Sequence, residues 1–332
     1  MSDIEPLAAA RVVHIAATIA VAGALAFRVL VLPRATPAPP GVADSSDAPA
    51  TVTARWASTW CGASLLVAIA SWLAWLALTA ASMSGTPVAR SLDGDVLGVV
   101  LARTTFGHIW TTRSACLLLL AACLVVARRR DDSRVAVADA SAAFLALLLL
   151  LTIAGTGHAI AGELSQRLTR VSIDALHLLG AGAWLGALVP LLFVLVRAAG
   201  NAEPAWHALA AVAVRRFSAL GVFAVVLLLG SGLSNAVSLV GSWSALVGTP
   251  YGRLVEAKVA LFAVILAIAA VNRLHWTPRL GARATEDRAL RALRRNAIAE
   301  LAIGVAVVCV VGVLGVTPPP AHAHMGAMHP GP

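Results

Sequence analysis

Eight stretches of this chain are apolar for about 20 residues or more, the length that crosses the roughly 30 Å hydrocarbon core of a bilayer as a helix. They fall at 7–32, 57–82, 108–127, 135–157, 170–197, 211–236, 254–274 and 296–316. Composition agrees: 59% of residues are hydrophobic and only 12% charged, against about 25% charged in a soluble domain. The pattern predicts an all-α polytopic membrane protein with eight transmembrane helices.

The connections orient those helices. ARRRDDSR lies between helices three and four, and NRLHWTPRLGARATEDRALRALRR between seven and eight. Both are strongly basic and belong on the cytoplasmic side. Alternation then places 17 of the 25 Lys and Arg inside and 8 outside, with both termini periplasmic. The net charge of +9 is therefore a topology signal, with the lipid bilayer and no nucleic acid as partner. MSDIEP is acidic and precedes an apolar run too long for a signal-peptide core, so the first helix is read as retained. Cys61, Cys116, Cys123 and Cys309 all sit in apolar runs, which argues against a disulfide framework. The Pro/Ala-rich segment 33–50 reads as a flexible inner loop. Residues 84–106 and 237–252 read as longer outer connections that partly re-enter or lie on the surface.

The chain also repeats itself. TTFGHIWTTR (104–113) and TPYGRLVEAK (249–258) share Thr, an aromatic, Gly and a later cation at an offset of 145. His14 and His177 each precede a glycine, Gly23 and Gly186, by nine residues, and His158-Ala159 is echoed by His322-Ala323. Two related four-helix halves, 1–160 and 161–317, followed by a tail at 318–332, account for the matches, and such internal duplication is a transporter arrangement.

The helix at 170–197 carries two ionisable groups, Asp174 and His177, three residues apart and so on one face. An ionisable residue within hydrocarbon marks a site by default. Topology places seven of the nine histidines outside. At 1.5 Å per residue, His14 and His177 lie about 10 Å below the outer boundary, with His108 and His158 at helix ends above them. Neutral imidazoles gathered in a dry site favour copper or zinc. Asp174 is either a further ligand or the acceptor that orients His177. Haem is the rival ligand, but a transmembrane diheme needs inner histidines, and His207 and His275 sit in loops or at a helix end. The tail AHAHMGAMHPGP adds His322, His324, Met325, Met328 and His329, and imidazole with thioether suits copper, Met especially Cu(I).

Arg113 and Lys258 are the paired cations of the repeat, within snorkelling range of the outer headgroups, and Glu256 sits close enough to Lys258 in sequence to pair with it. Trp184 reads as packing support. Cys116 and Cys123 share a face of helix three, and buried cysteines are usually small hydrophobes. Glu300 is the one acidic group of the inner part of helix eight, suited to a proton or ion, or to one of the nearby arginines. No phosphate-binding loop or dinucleotide fingerprint is present, so no nucleotide partner and no enzymatic role are expected.

The stretch 215–280 resembles the core of the copper resistance protein D (CopD) family. Arg216-Phe217-Ser218, Gly232, Thr249, Tyr251-Gly252, Lys258, Asn272-Arg273 and Pro278 carry the resemblance, with GHA at 157–159 and HLLGAGAWLGAL at 177–188. It covers residues 150 to 315, with a core at 215–310, and the first half loosely. It implies a bacterial inner-membrane protein that moves copper, Cu(I) or Cu(II), from periplasm to cytoplasm, often beside a periplasmic CopC-type partner. It also brings in Tyr251 and Asn272 as supporting residues. The alternatives are a non-conducting membrane factor that delivers copper during oxidase assembly, and a haem- or copper-dependent redox protein.

Overall fold

A computed structural model describes residues 4–33, 47–127, 135–156, 164–200, 203–282 and 284–320, and among them there is no strand. Eight helices are long and apolar enough to span a membrane. We name them α1 (Pro6–Val31), α2 (Pro49–Ser84), α3 (Thr105–Val125), α4 (Val137–Ala154), α5 (Gln166–Ala199), α6 (Pro204–Val240), α7 (Pro250–Arg279) and α8 (Glu286–Leu314). The protein is thus an all-α, multi-pass membrane protein, as its hydropathy predicts.

The differences lie at the ends. The α2 helix begins at Pro49 and α6 at Pro204, well before their apolar runs. Proline is tolerated at the first helical position, where its missing N–H has no intrahelical partner to lose. These helices have 36 and 37 residues, and at 1.5 Å per residue they outrun a ~30 Å hydrocarbon core by roughly 25 Å. The longer connections at 84–106 and 237–252 are folded into short helices, Val88–Ser91, Gly94–Arg103 and Trp243–Gly248. Residues 34–46, His158, and His322, His324, Met325, Met328 and His329 of the tail lie outside the described residues.

Packing centres on α1, which runs beside α2, α4, α8 and the middle of α5. It crosses α5 where Gly23 meets Gly186. A Cβ on Gly23 would collide with the Gly186 backbone, and one on Gly186 with the carbonyl of Ile19. Small residues permit such a backbone approach, which is how helices associate where lipid removes the hydrophobic drive. At this crossing α5 widens into a π turn, Gly182–Gly186, upstream of Pro190. Proline removes the N–H that Gly186's carbonyl would accept, so the helix is irregular at the crossing.

One core cluster is drawn wholly from α1–α4, around Leu65, Trp72, Leu120 and Leu149. Another joins the C-terminal end of α1 to α5–α8, around Phe27, Leu195, Trp206 and Leu290. Ile15, Ile19, Leu150, Ile153 and Val308 stitch the two together. Large apolar side chains such as Leu118, Phe223, Val259 and Val305 are exposed on the outside of the bundle, where lipid would cover them.

Candidate functional site

The two repeated motifs fold the same way. Thr104 Oγ1 accepts from the Gly107 N–H at 2.9 Å, and Thr249 Oγ1 accepts from the Gly252 N–H at 3.0 Å. Each threonine hydroxyl also donates 2.6 Å back to the preceding short helix, to Val100 O and Ala245 O. Side-chain oxygens at such positions satisfy N–H groups that the helix start leaves orphaned. Gly107 and Gly252 let that start press onto the preceding helix, because a Cβ on either would strike its carbonyls. Arg113 and Lys258, each nine residues past its threonine, are thereby set at one depth, about 13 Å along the axis.

Arg113 reaches His14. Both are fully buried. Arg113 Nη2 donates to His14 Nε2 at 2.5 Å, and its Nη1 donates to Leu149 O (2.9 Å) and Thr152 Oγ1 (2.5 Å). His14 Nδ1 donates to Ala68 O at 3.0 Å and lies 3.2 Å from Ser71 Oγ. A carbonyl can only accept, so the proton is on Nδ1 and Nε2 offers its lone pair. Trp72 stacks on the imidazole with centroids 5.0 Å apart, and the Arg113 guanidinium lies 4.8 Å from the Trp72 ring centre. A cation over an indole face is attracted by the ring quadrupole.

Lys258 reaches His177 in the same way. Lys258 Nζ donates to His177 Nε2 at 3.3 Å, and His177 Nδ1 donates to Ser231 Oγ at 2.9 Å. Ser231 passes its own proton to Leu227 O, so the tautomer matches that of His14. Asp174 Oδ1 accepts from Asn235 Nδ2 at 2.6 Å and lies near enough to Lys258 and Tyr251 to interact with both electrostatically. This cluster is half-buried where the first is sealed.

A third polar group lies where α5, α7 and α8 meet. Glu300 is buried and accepts from Asn272 Nδ2 at 2.7 Å, while Asn296 Nδ2 donates to Asn272 Oδ1 at 2.7 Å. Trp184, from the π turn, also hydrogen-bonds to Glu300. Asn272 opens a second π turn, Asn272–Trp276. Asn272 and Trp184 therefore serve Glu300 and not the histidines.

Several expectations need correcting. Neither Arg113 nor Lys258 snorkels outward, since a histidine acceptor inside the bundle draws each inward. Glu256 is exposed and does not pair with Lys258, because residues two apart on a helix point away from each other. Ser231, not Asp174, orients His177. Tyr251 is buried against Val240, Ala245 and Leu314. His108 is exposed on α3, with its carbonyl accepting from Thr111 and Thr112. His14, His108 and His177 do not gather into one nest, and among the described residues no three His, Cys, Asp or Glu side chains could share a metal ion. Cys123 points its thiol at Ala138 O, 3.7 Å away, as a packing residue does. Ser71, Ser231, Asn235 and Asn296 escape sequence reading because small polar residues in apolar helices usually bond to their own backbone.

Residues 1–168 match the family described as Copper resistance protein D-like, N-terminal domain, and residues 211–314 match Copper resistance protein D. The chain belongs to the copper resistance protein D family. The family's N-terminal match takes in His14, Ser71 and Arg113, and its core match takes in Ser231, Lys258, Asn272 and Glu300. Asp174 and His177 fall between the two. The chain is 34% identical over 167 residues to the inner membrane protein YebZ of Escherichia coli strain K12, over 50% of this chain and 55% of YebZ. It is 32% identical over 184 residues to copper resistance protein D of Pseudomonas syringae pv. tomato, 53% of this chain and 58% of that protein. With the copper transport protein CutJ of Bacillus subtilis strain 168 the identity is 32% over 174 residues, 52% of this chain and 29% of CutJ. The chain thus spans about half the length of the first two and less of the third. No solved structure matches it.

Proposed function

We propose that this protein carries copper ions across the bacterial inner membrane, from the periplasm through an outer-facing histidine site towards the cytoplasm. The observation that carries the reading is the pairing of each imidazole lone pair with a cation, in a chain of a copper resistance family. Nε2 of His177 is held as an acceptor, and its partner is a single positive charge at the place a metal ion would take. Copper substrate entering there displaces Lys258, which holds His177 by one 3.3 Å contact, and meets the carboxylate of Asp174 beside it. Arg113 is tied to three acceptors and yields less readily, so we assign capture to the His177 half and a bracing role to His14.

In this reading the two four-helix halves, 1–160 and 161–317, are related copies. Copper reaches that site by way of His108, His158 and the 318–332 tail, with or without a CopC-type partner. The membrane potential supplies about 2.3 kcal/mol per charge per 100 mV for inward movement. The test is copper accumulation in proteoliposomes. Replacement by His177→Ala is expected to abolish it, and undiminished uptake by that variant sinks the proposal.

A second reading, copper delivery to an oxidase without conduction, is favoured by one observation. Buried Glu300 and half-buried Asn272 and Asn296 offer oxygen and nitrogen atoms, with no thioether or thiolate among them. Soft ligands are what Cu(I) prefers. Under that reading, cells lacking the protein keep normal cytoplasmic copper but assemble a copper-poor oxidase.

A further inference from the structure

The inner ends of α7 and α8 carry a feature that copper handling does not use. Arg288, Arg291 and Arg295 recur at three- and four-residue spacing and so form one stripe of α8, with Arg294 beside it. The opposite stripe, Ala289, Leu290, Ala292, Leu293 and Ala297, is buried in the bundle. The four arginines and Trp276 line a groove of about 510 Å³. A second hollow of about 520 Å³ adjoins it, sharing Trp276 and Arg295 and walled mainly by Ala267, Ile268 and Val271, with His275 and Asn296 at its edge. Towards the membrane centre the arginine stripe gives way to exposed Ile298 and Val305.

We propose that this groove binds an anionic phospholipid of the cytoplasmic leaflet, its phosphate held by Arg291 and Arg295 and an acyl chain laid in the apolar hollow beside Trp276. The charge fits. Among the described residues no salt bridge pairs a carboxylate with any of these four arginines. Glu286, the nearest acid on α8 besides exposed Asp287, is engaged by His207 and the Gly281 N–H. Guanidinium forks match phosphate oxygens in a bidentate way that point charges do not. Tryptophan favours headgroup depth, and the Arg279 guanidinium lies 5.9 Å from the Trp276 ring centre, keeping that wall polar on its outer side. Orientation alone calls for basic residues somewhere in the loop. It does not call for four of them on the wall of a groove that continues into an apolar slot. The slot also decides between sources of phosphate, since a free phosphate ion makes no use of it.

The test uses the full chain in detergent, with the thermal unfolding midpoint read after adding phosphatidylglycerol, phosphatidylcholine or inorganic phosphate. Phosphatidylglycerol is expected to raise the midpoint by several degrees over phosphatidylcholine. The gain is expected to persist in R215Q/R253Q, which removes two exposed charges elsewhere, and to vanish in R291Q/R295Q. Equal gains in both variants, or the same gain from inorganic phosphate or phosphatidylcholine, overturn the proposal. Native mass spectrometry of the unaltered protein, released from an equimolar mixture of the two lipids, gives a second reading independent of folding. Several-fold enrichment of retained phosphatidylglycerol supports the site, and equal retention refutes it.

Discussion

His14 and His177 show how one pairing yields two different roles. Each imidazole gives its Nδ1 proton to the neighbouring helix and its Nε2 lone pair to a cation on the helix after that. What differs is the cation. Arg113 has three acceptors and no exposure, and removing it strands His14 Nε2 in a sealed site, while Leu149 O keeps only the bond it accepts from the Thr152 hydroxyl. Leaving a buried polar group unsatisfied costs about 1–3 kcal/mol, so Arg113→Ala is expected to lower the thermal unfolding midpoint markedly. Lys258→Ala strands only His177 Nε2, which is the group a metal seeks. That variant is expected to stay folded and to bind copper more tightly in a titration of purified protein. Unchanged affinity would mean that Lys258 does not compete for the imidazole. The histidines and both cations were visible in the sequence as motif members. Their pairing was not, because a helical position fixes depth while the direction of a long side chain depends on which acceptor faces it.

The helices are positioned by small residues at a few crossings. Gly23 and Gly186 were noticeable as equal spacings from His14 and His177, yet spacing says nothing about contact. The structure puts them against each other, so that α1 and α5 meet backbone to backbone. Gly186→Val has no room, and overpacking typically costs about 1–3 kcal/mol. We expect it to reduce the fraction of monodisperse protein on size exclusion and to lower the unfolding midpoint. Gly221→Val is the control, since nothing lies within 4 Å of a Cβ built on Gly221. A similar loss in both variants would show that the crossing is not the sensitive point. The Thr104 and Thr249 caps were readable as a repeated motif, and the extended starts of α2 and α6 were not. The first residues of both lie outside the apolar runs, and the Pro/Ala-rich stretch that includes Pro49 reads as loop where a helix in fact starts.

Taken whole, the molecule has polar groups at two depths, and their sidedness is what gives them meaning. The Arg28–Asp139 ion pair (2.7 Å), with Ser58 also bonded to Arg28, ties α1, α2 and α4 at one end. Glu300, Asn272 and Asn296 tie α7 and α8 well away from the histidines. Only Glu300, as an acid of the inner part of helix eight, and Asn272, through the family resemblance, stand out in the sequence, because partners on distant helices have no local signature. If the basic ends face the cytoplasm, copper captured at His177 has to pass Glu300 to complete its path, and the arginine groove meets the inner leaflet. If they face outward, the histidines open to the cytoplasm and the proposed direction reverses. Exposed Ser242 and Ala282 lie at opposite ends of α7 and report on this directly. In intact cells, Ser242→Cys is expected to react with a membrane-impermeant maleimide, and Ala282→Cys only after permeabilisation. The reverse labelling pattern would turn the proposed uptake route into an exit route while leaving the two histidine clusters as they are.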